Sequence, residues 1–397
     1  MAQLLTMDEA VAAILAEVRP LAAESVPIED ARGRFLAEDA VAQVDLPPFP
    51  SSAMDGFAVR SADTPGTLPV VFRIAAGRPA SQPLRAGEAM GIATGGVVPE
   101  GADAVIPIEY VVDHDNNVEI PDAVAAGANV RPRGGDVAAG SVVASAGVRL
   151  SAAQLGAVAA AGLPAVRSTQ RPRASVLTTG TELRTPGEPL GPGEVYEANG
   201  LMLAAQLVAA GASVEVLPAV ADDEGAHRRA LERALEADLV VTSGGVSVGP
   251  HDLVRRIEAE LGVREIFWGV AVKPGKPLAF GVREGSLVFG LPGNPVSSLV
   301  GFELFVRPAV LALQGASDPR PRFENGTLAA AVRRNAERDE FLRGNRLDGD
   351  ALPRIAPLSG QESHMIARAA SADVLVHVPR GEGELSAGSE VRYLVLS

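Results

Sequence analysis

The 35 basic residues of this chain include only two lysines, and they stand three residues apart in VKPGKP (272–277). An ammonium group is a compact point charge, whereas guanidinium is a flat fork built for bidentate partners. The prolines stiffen the loop and Gly275 permits close approach, so Lys273 and Lys276 suit a polyanion. Two ordinary solvated surface charges are the plainer account. TSGGVSVGPHD (242–252) points to the same chemistry. Ser243, Gly244, Gly245, Ser247 and Gly249 let several backbone N–H groups converge on a phosphate or oxyanion, with hydroxyls as extra donors. The segment lacks the Lys-Ser/Thr ending of a Walker loop and the G-x-G-x-x-G spacing of dinucleotide sites. A glycine-rich turn without a ligand competes with the nest reading.

In LPGNPVSS (291–298), Pro292, Gly293, Asn294, Pro295 and Ser297 form a rigid turn before a helix whose N-terminus favours anions; a plain connector would read similarly. Glu182 in TTGTEL, Asp222 in ADDE and Asp252 supply three hard oxygen ligands, which together suit Mg²⁺ beside a phosphate. Taken singly, Asp222 and Asp252 more commonly serve as helix starts, so the metal reading rests on all three acids together. Asp55 in SSAMDGFAVR (51–60), Thr94 in ATGG and Asp136 in RPRGGDV read as turn formers, with Arg131 and Arg133 able to add positive charge to an anion site. None of the five histidines shows metal-ligand spacing, and no Ser-His-Asp set can be assigned.

These segments need a scaffold. A chain of 397 residues suggests two to four domains. Thr6 and Glu9 form a capping box that predicts a helix over 6–18, and Ser151 predicts another over 151–161. Residues 43–136, with short β-branched runs among Pro and Gly, read as an inserted β-rich domain. It interrupts a helical N-terminal domain made of 1–42 and 137–171. From 172 to 316, strands near 174–180, 213–221, 237–245, 264–272, 278–282 and 286–291 alternate with helices near 200–210, 224–237, 252–261 and 295–313. Asn199 is the expected cap of the first of these and Gly211 its stop. The expected fold is an α/β core with a mostly parallel sheet and helices on both faces. Residues 317–397 read as a small C-terminal β-barrel or sandwich. In an open α/β sheet, ligands sit beyond the carboxyl ends of the strands, and five of the segments above follow strands.

A net charge of −14 argues against nucleic acid or anionic membrane as partner. The absence of cysteine excludes disulfides, zinc–thiolate sites and a cysteine nucleophile. The N-terminus lacks a signal-peptide layout and no stretch approaches 18 uninterrupted apolar residues, so a cytoplasmic protein is expected.

SSAMDGFAV, RPRGGD, TTGTEL, SGGVSVGPHD, KPGKP and GLPGNPVS occur in this order. Together they resemble the molybdopterin molybdenumtransferases, the MoeA-type enzymes of molybdenum cofactor synthesis related to the gephyrin E domain. The resemblance spans essentially the whole chain. It implies an enzyme that takes adenylylated molybdopterin and molybdate, cleaves the adenylate with Mg²⁺, delivers molybdenum to the dithiolene and releases AMP. By motif it assigns working roles to Asp55, Thr94, Asp136, Glu182, Asp222, Asp252, Lys273 and Lys276. It further implies a homodimer whose cleft joins the inserted domain of one copy to the α/β domain of the other, and a transient contact with the adenylyltransferase. Thr181, Gly269 and the Gly-Pro-His before Asp252 depart from residues common in relatives. Two alternatives remain at this level: the preceding adenylylation of molybdopterin by ATP, and a non-catalytic gephyrin-like scaffold.

Overall fold

The computed structural model describes residues 4–220, 223–245, 253–349 and 351–396. Its central sheet orders six strands as Ser213–Val216, Arg173–Thr178, Leu239–Ser243, Ser286–Leu291, Ala279–Arg283 and Arg264–Trp268. The first four run parallel, Ala279–Arg283 runs against them, and Arg264–Trp268, antiparallel to that strand, runs with the first four, so the sheet is mostly parallel as expected, with one reversed strand. Glu284 and Gly285, at φ 50° and 94°, close a two-residue hairpin there. A parallel return would need a crossover of about a dozen residues or more.

Period-2 alternation sorts the strand side chains onto two faces. Ala174, Val176, Leu239, Val241, Leu287 and Phe289 meet helices Met7–Glu17, Asn199–Ala210 and Pro295–Leu313 on one side. Leu177, Val240 and Val288 face Glu224–Ala234 and Leu253–Glu260 on the other. Covering on both faces explains why Leu239–Ser243 is buried throughout. Pro295–Leu313 is long and apolar enough to cross a membrane, but 78% of it is buried in this core. Its single acid, Glu303, is 2% exposed and held by Arg307 (2.6 Å) and Gln206 (2.8 Å), the partners a buried charge requires.

Thr6 caps Met7–Glu17 with both halves of the capping box in place. Met7, Ala10, Val11 and Ile14, at helical spacing, pack on the α/β core. The expectation of a helical N-terminal domain is thereby corrected, because this helix serves another unit. The rest of that region is two short antiparallel ladders and one helix, Ala152–Ala160, around Val26, Leu36, Leu150 and Val158.

The inserted region is β-rich as expected, a six-stranded sheet running from Gly56–Val59 to Asn117–Ile120 with Phe57, Val59, Ile106 and Val118 at its core. At the C-terminus, Asp339–Leu347, Arg354–Pro357, Glu324–Leu328, Glu390–Val395 and Val374–Val378 pair in turn. The last pairs back onto the first, closing a five-stranded barrel. Closure removes the free edges that a small sheet would expose. Phe341, Leu375 and Leu394 point out of the barrel into the α/β core.

Candidate functional site

The crevice at the strand ends is assembled from backbone first. Thr179 N–H donates to Ser243 O, Gly180 N–H to Val220 O and Gly244 N–H to Leu291 O, each at 3.1 Å. These bonds lock four strand ends into one rim. Gly244 has φ +95°, and a Cβ there would lie 2.7 Å from the Thr179 carbonyl oxygen. Gly245 has φ +68° and its missing Cβ would strike Val254 at 2.5 Å. Both positions therefore require glycine, which allows the chain to turn where the strands end. Gly293 sits against Gly244, with 3.7 Å between its Cβ position and the Gly244 Cα.

Buried hydroxyls fix the neighbouring turn. Ser243 donates to Pro292 O (3.2 Å) and accepts from the side-chain amide of Asn199 (2.9 Å), which also donates to Gly293 O (2.8 Å). Ser298 donates to the same Pro292 carbonyl. The expected capping role of Asn199 is corrected: Ala198 occupies the cap position, Asn199 is the first helical residue, and Glu197 accepts from Gly200 N–H at 2.7 Å. Asn199 instead ties two strand-end loops together. Asn294 and Pro295 open the last long helix, with no side-chain bond from Asn294 to the helix and with Ser297 buried behind them.

The lysine loop borders this rim, since the Cβ position of Gly275 lies 3.6 Å from Ser297 O. Lys276 O accepts from both Val270 and Leu278 N–H at 3.0 Å, pinching the loop at its base. Both lysine side chains are exposed. Lys273 Nζ lies 2.6 Å from Glu340 Oε1 of the barrel. Lys276 has no ion-pair partner among the described residues. Glu182 folds back over Gly180, with Oε2 2.6 Å from that glycine's Cβ position. Its exposed carboxylate makes no hydrogen bond or ion pair among the described residues, so it is available to a ligand or cation.

Asp55 and Thr94 form a second group. Asp55 Oδ1 accepts from the Thr94 backbone N–H (2.6 Å) and hydroxyl (2.9 Å). Those two donors, the N–H foremost, hold the Asp55 carboxyl below the usual aspartate range. The two loops are also stitched by backbone bonds from Ser52 N–H to Gly96 O and from Gly95 N–H to Ser52 O. Asp136 bonds through its backbone to Leu46, and Arg133 pairs with Asp45 at 2.5 Å, which spends the positive charge expected of it on a neighbour.

Of the predicted site residues, Ser243, Gly244, Gly245, Pro292, Gly293, Asn294, Pro295, Ser297, Gly275, Lys273, Lys276 and Glu182 gather around the strand ends. The bonds of Asp55, Thr94 and Asp136 stay in their own part of the chain. Asp222, Ser247, Gly249 and Asp252 lie outside the described residues. Among those described, no group of three His, Cys, Asp or Glu is placed to hold a metal. Asn199, Ser298 and Glu340 were missed. The Ser-Ser pair in LPGNPVSS was a signal for the second of these; Glu340, more than sixty positions from its partner, left none.

Fold and crevice define a multidomain α/β protein with a glycine-floored, lysine-edged site at the carboxyl ends of its strands. Residues 5–162 match the MoeA N-terminal region (domain I and II), residues 175–312 a probable molybdopterin binding domain, and residues 325–396 the MoeA C-terminal region (domain IV). The chain is 37% identical over 395 residues to molybdopterin molybdenumtransferase 2 of Mycobacterium tuberculosis, covering 96% of each. It is 33% identical to the Haemophilus influenzae molybdopterin molybdenumtransferase, covering 98% of each. The molybdopterin biosynthesis moeA protein of Pyrococcus horikoshii OT3 superposes with TM-score 0.85 at 28% identity, over 99% of this chain and 100% of that one. The chain belongs to the molybdopterin molybdenumtransferase family, and it is an enzyme of the transferase class.

Proposed function

We propose that the chain inserts molybdenum from molybdate into adenylylated molybdopterin, cleaving the adenylate and releasing AMP. The observation that carries this reading is the meeting of the lysine loop with the Gly244–Gly293 floor. It sets two ammonium groups at the edge of a site floored by backbone. Such a site accepts a pyrophosphate-linked substrate: glycines admit its bulk, and fixed positive charge stabilises the negative charge that grows on the leaving phosphate. Asp55 or Asp136 orients water or molybdate.

The accessible carboxylate of Glu182, unpaired among the described residues, fits a divalent ion, and Glu182, Asp222 and Asp252 would hold Mg²⁺. When bound, that ion supplies Lewis-acid polarisation of a phosphoryl oxygen. A homodimer is part of the same reading, because among the described residues the Asp55–Thr94 group makes no bond to its own crevice. The division into 1–42 with 137–171, 43–136, 172–316 and 317–397 also belongs to it, with the first helix reassigned by packing to the α/β unit.

The test is release of AMP from adenylylated molybdopterin with molybdate present. Lys276→Ala is expected to lower the rate about 10²–10³-fold, the usual loss of a transition-state charge partner, while leaving the unfolding midpoint unchanged. A folded variant that releases AMP at the wild-type rate removes the lysine from the mechanism. Pyrophosphate release from ATP and molybdopterin would instead assign the chain to the preceding adenylylation.

A further inference from the structure

We infer that Glu340 of the C-terminal barrel is a positioning residue for Lys273, and that it divides the lysine pair into one tethered and one free charge. The inference rests on the reading of the lysine loop as part of the reacting site. Val272–Lys273 runs parallel to Asp339–Glu340, and Asp339 N–H donates to Ala271 O at 3.0 Å. The loop is thus the sixth strand laid against the barrel, at the place where the barrel closes, since Glu340 also pairs with Val378. Its neighbour Phe341 is fully buried in the α/β core. The Glu340 backbone is therefore held from three directions and cannot follow the loop.

Glu340 is 7% exposed, while the Lys273 side chain keeps 49% of its surface in solvent. A carboxylate so placed needs a cationic partner, and Lys273 Nζ at 2.6 Å supplies it. An ammonium has three donors. One is aimed inward at Glu340, which fixes the direction of the other two toward the open side of the loop. Lys276 has no such anchor among the described residues, so its charge stays uncompensated. An arriving polyanion meets Lys276 as the attracting charge. Lys273 is then a pair of aimed donors whose direction is set by a residue of the C-terminal barrel.

Because the chain has only two lysines, an amine-acylating reagent followed by mass spectrometry reads each one separately in the intact protein. In the wild type Lys276 is expected to react several-fold faster than Lys273. Glu340→Gln should raise the Lys273 rate and leave that of Lys276 alone. In AMP release, Glu340→Gln should cost about ten-fold, the range of one charge-assisted hydrogen bond. Added to Lys273→Met it should cost nothing more; added to Lys276→Met its cost should multiply. A mere clip on the loop would couple Glu340 to both lysines alike, so equal coupling overturns the positioning role. Lys273 reactivity that ignores Glu340→Gln overturns the pair itself. If Lys273→Met and Lys276→Met release AMP at the wild-type rate while the reactivity shift is present, the failure lies in the function assigned to the loop; Glu340 is then a structural contact, and the inference falls with that reading.

Discussion

In the α/β crevice the buried hydroxyls of Ser243 and Ser298 and the half-buried amide of Asn199 are committed to structure: all three bond to the Pro292–Gly293 turn or to one another. In the inserted domain the key polar side chain is exposed, and Asp55 receives two hydrogen bonds that keep it ionised. The crevice spends its side chains on shape and leaves backbone and lysines for the ligand. The inserted domain spends its backbone on a side chain and leaves a carboxylate for the ligand. A polyanion site gains from the first arrangement, because donors already fixed in place need no rearrangement when the ligand arrives. Among the described residues Asp55 bonds within its own domain and Lys276 has no ion-pair partner, so neither charge neutralises the other within the chain.

The largest effect expected from that separation is complementation between copies. Asp55→Ala and Lys276→Ala chains, each inactive alone, are mixed under conditions that exchange subunits. If the two regions meet across a dimer, every mixed pair contains one doubly damaged cleft and one intact cleft. AMP release should then recover from background to about a quarter of the wild-type rate, from random pairing in a C2 dimer. A mixture that exchanges subunits and stays at background places both regions in the same chain's cleft.

How far this was legible in the sequence follows the same divide. Thr6 and Glu9, Gly211 and the apolar strands announced their elements because the signals are local: a cap, a left-handed stop, an unbroken buried run. The gathering of four strand-end loops followed from topology, since alternating strands and helices must bring their carboxyl ends to one edge. What stayed hidden depended on partners distant in the chain. The first helix looked like the start of a helical domain, because its apolar face does not say which core it joins. Asn199 looked like a cap, because Asn before a helix usually is one; only the approach of Ser243 and Gly293 gives its amide another use. The hairpin at Glu284–Gly285 hid the antiparallel return, as Glu stands where the common signal has Asn or Asp before the glycine.

Asn199→Ala tests the crevice side of the comparison at a residue whose importance is purely positional. It leaves the buried Ser243 hydroxyl without its donor and frees the Gly293 carbonyl. Unfolding in urea should show a loss of roughly 1–2 kcal/mol, the cost of an unmet hydrogen bond in a site that water partly reaches. The Gly293 turn should loosen with it, so KM for adenylylated molybdopterin should rise by more than kcat falls. An unchanged midpoint and KM would mean that Ser243 and Ser298 hold the turn without the amide.

Thr94→Val tests the other side and should have the smallest effect. Valine keeps the backbone N–H that Asp55 accepts and removes only the hydroxyl, so the Asp55 pKa should rise part of the way toward the ordinary aspartate value of about 3.9. The folded-state pKa lies below the unfolded one, so this group adds stability above the unfolded pKa and loses it as pH falls through the folded value. The variant should therefore be slightly less stable than the wild type at neutral pH. The gap should close as acid protonates Asp55 in both proteins. Paired urea titrations at several pH values read this directly. A gap of constant size from neutral to acid would assign the loss to packing of the threonine and leave Asp55 without its second donor's electrostatic effect.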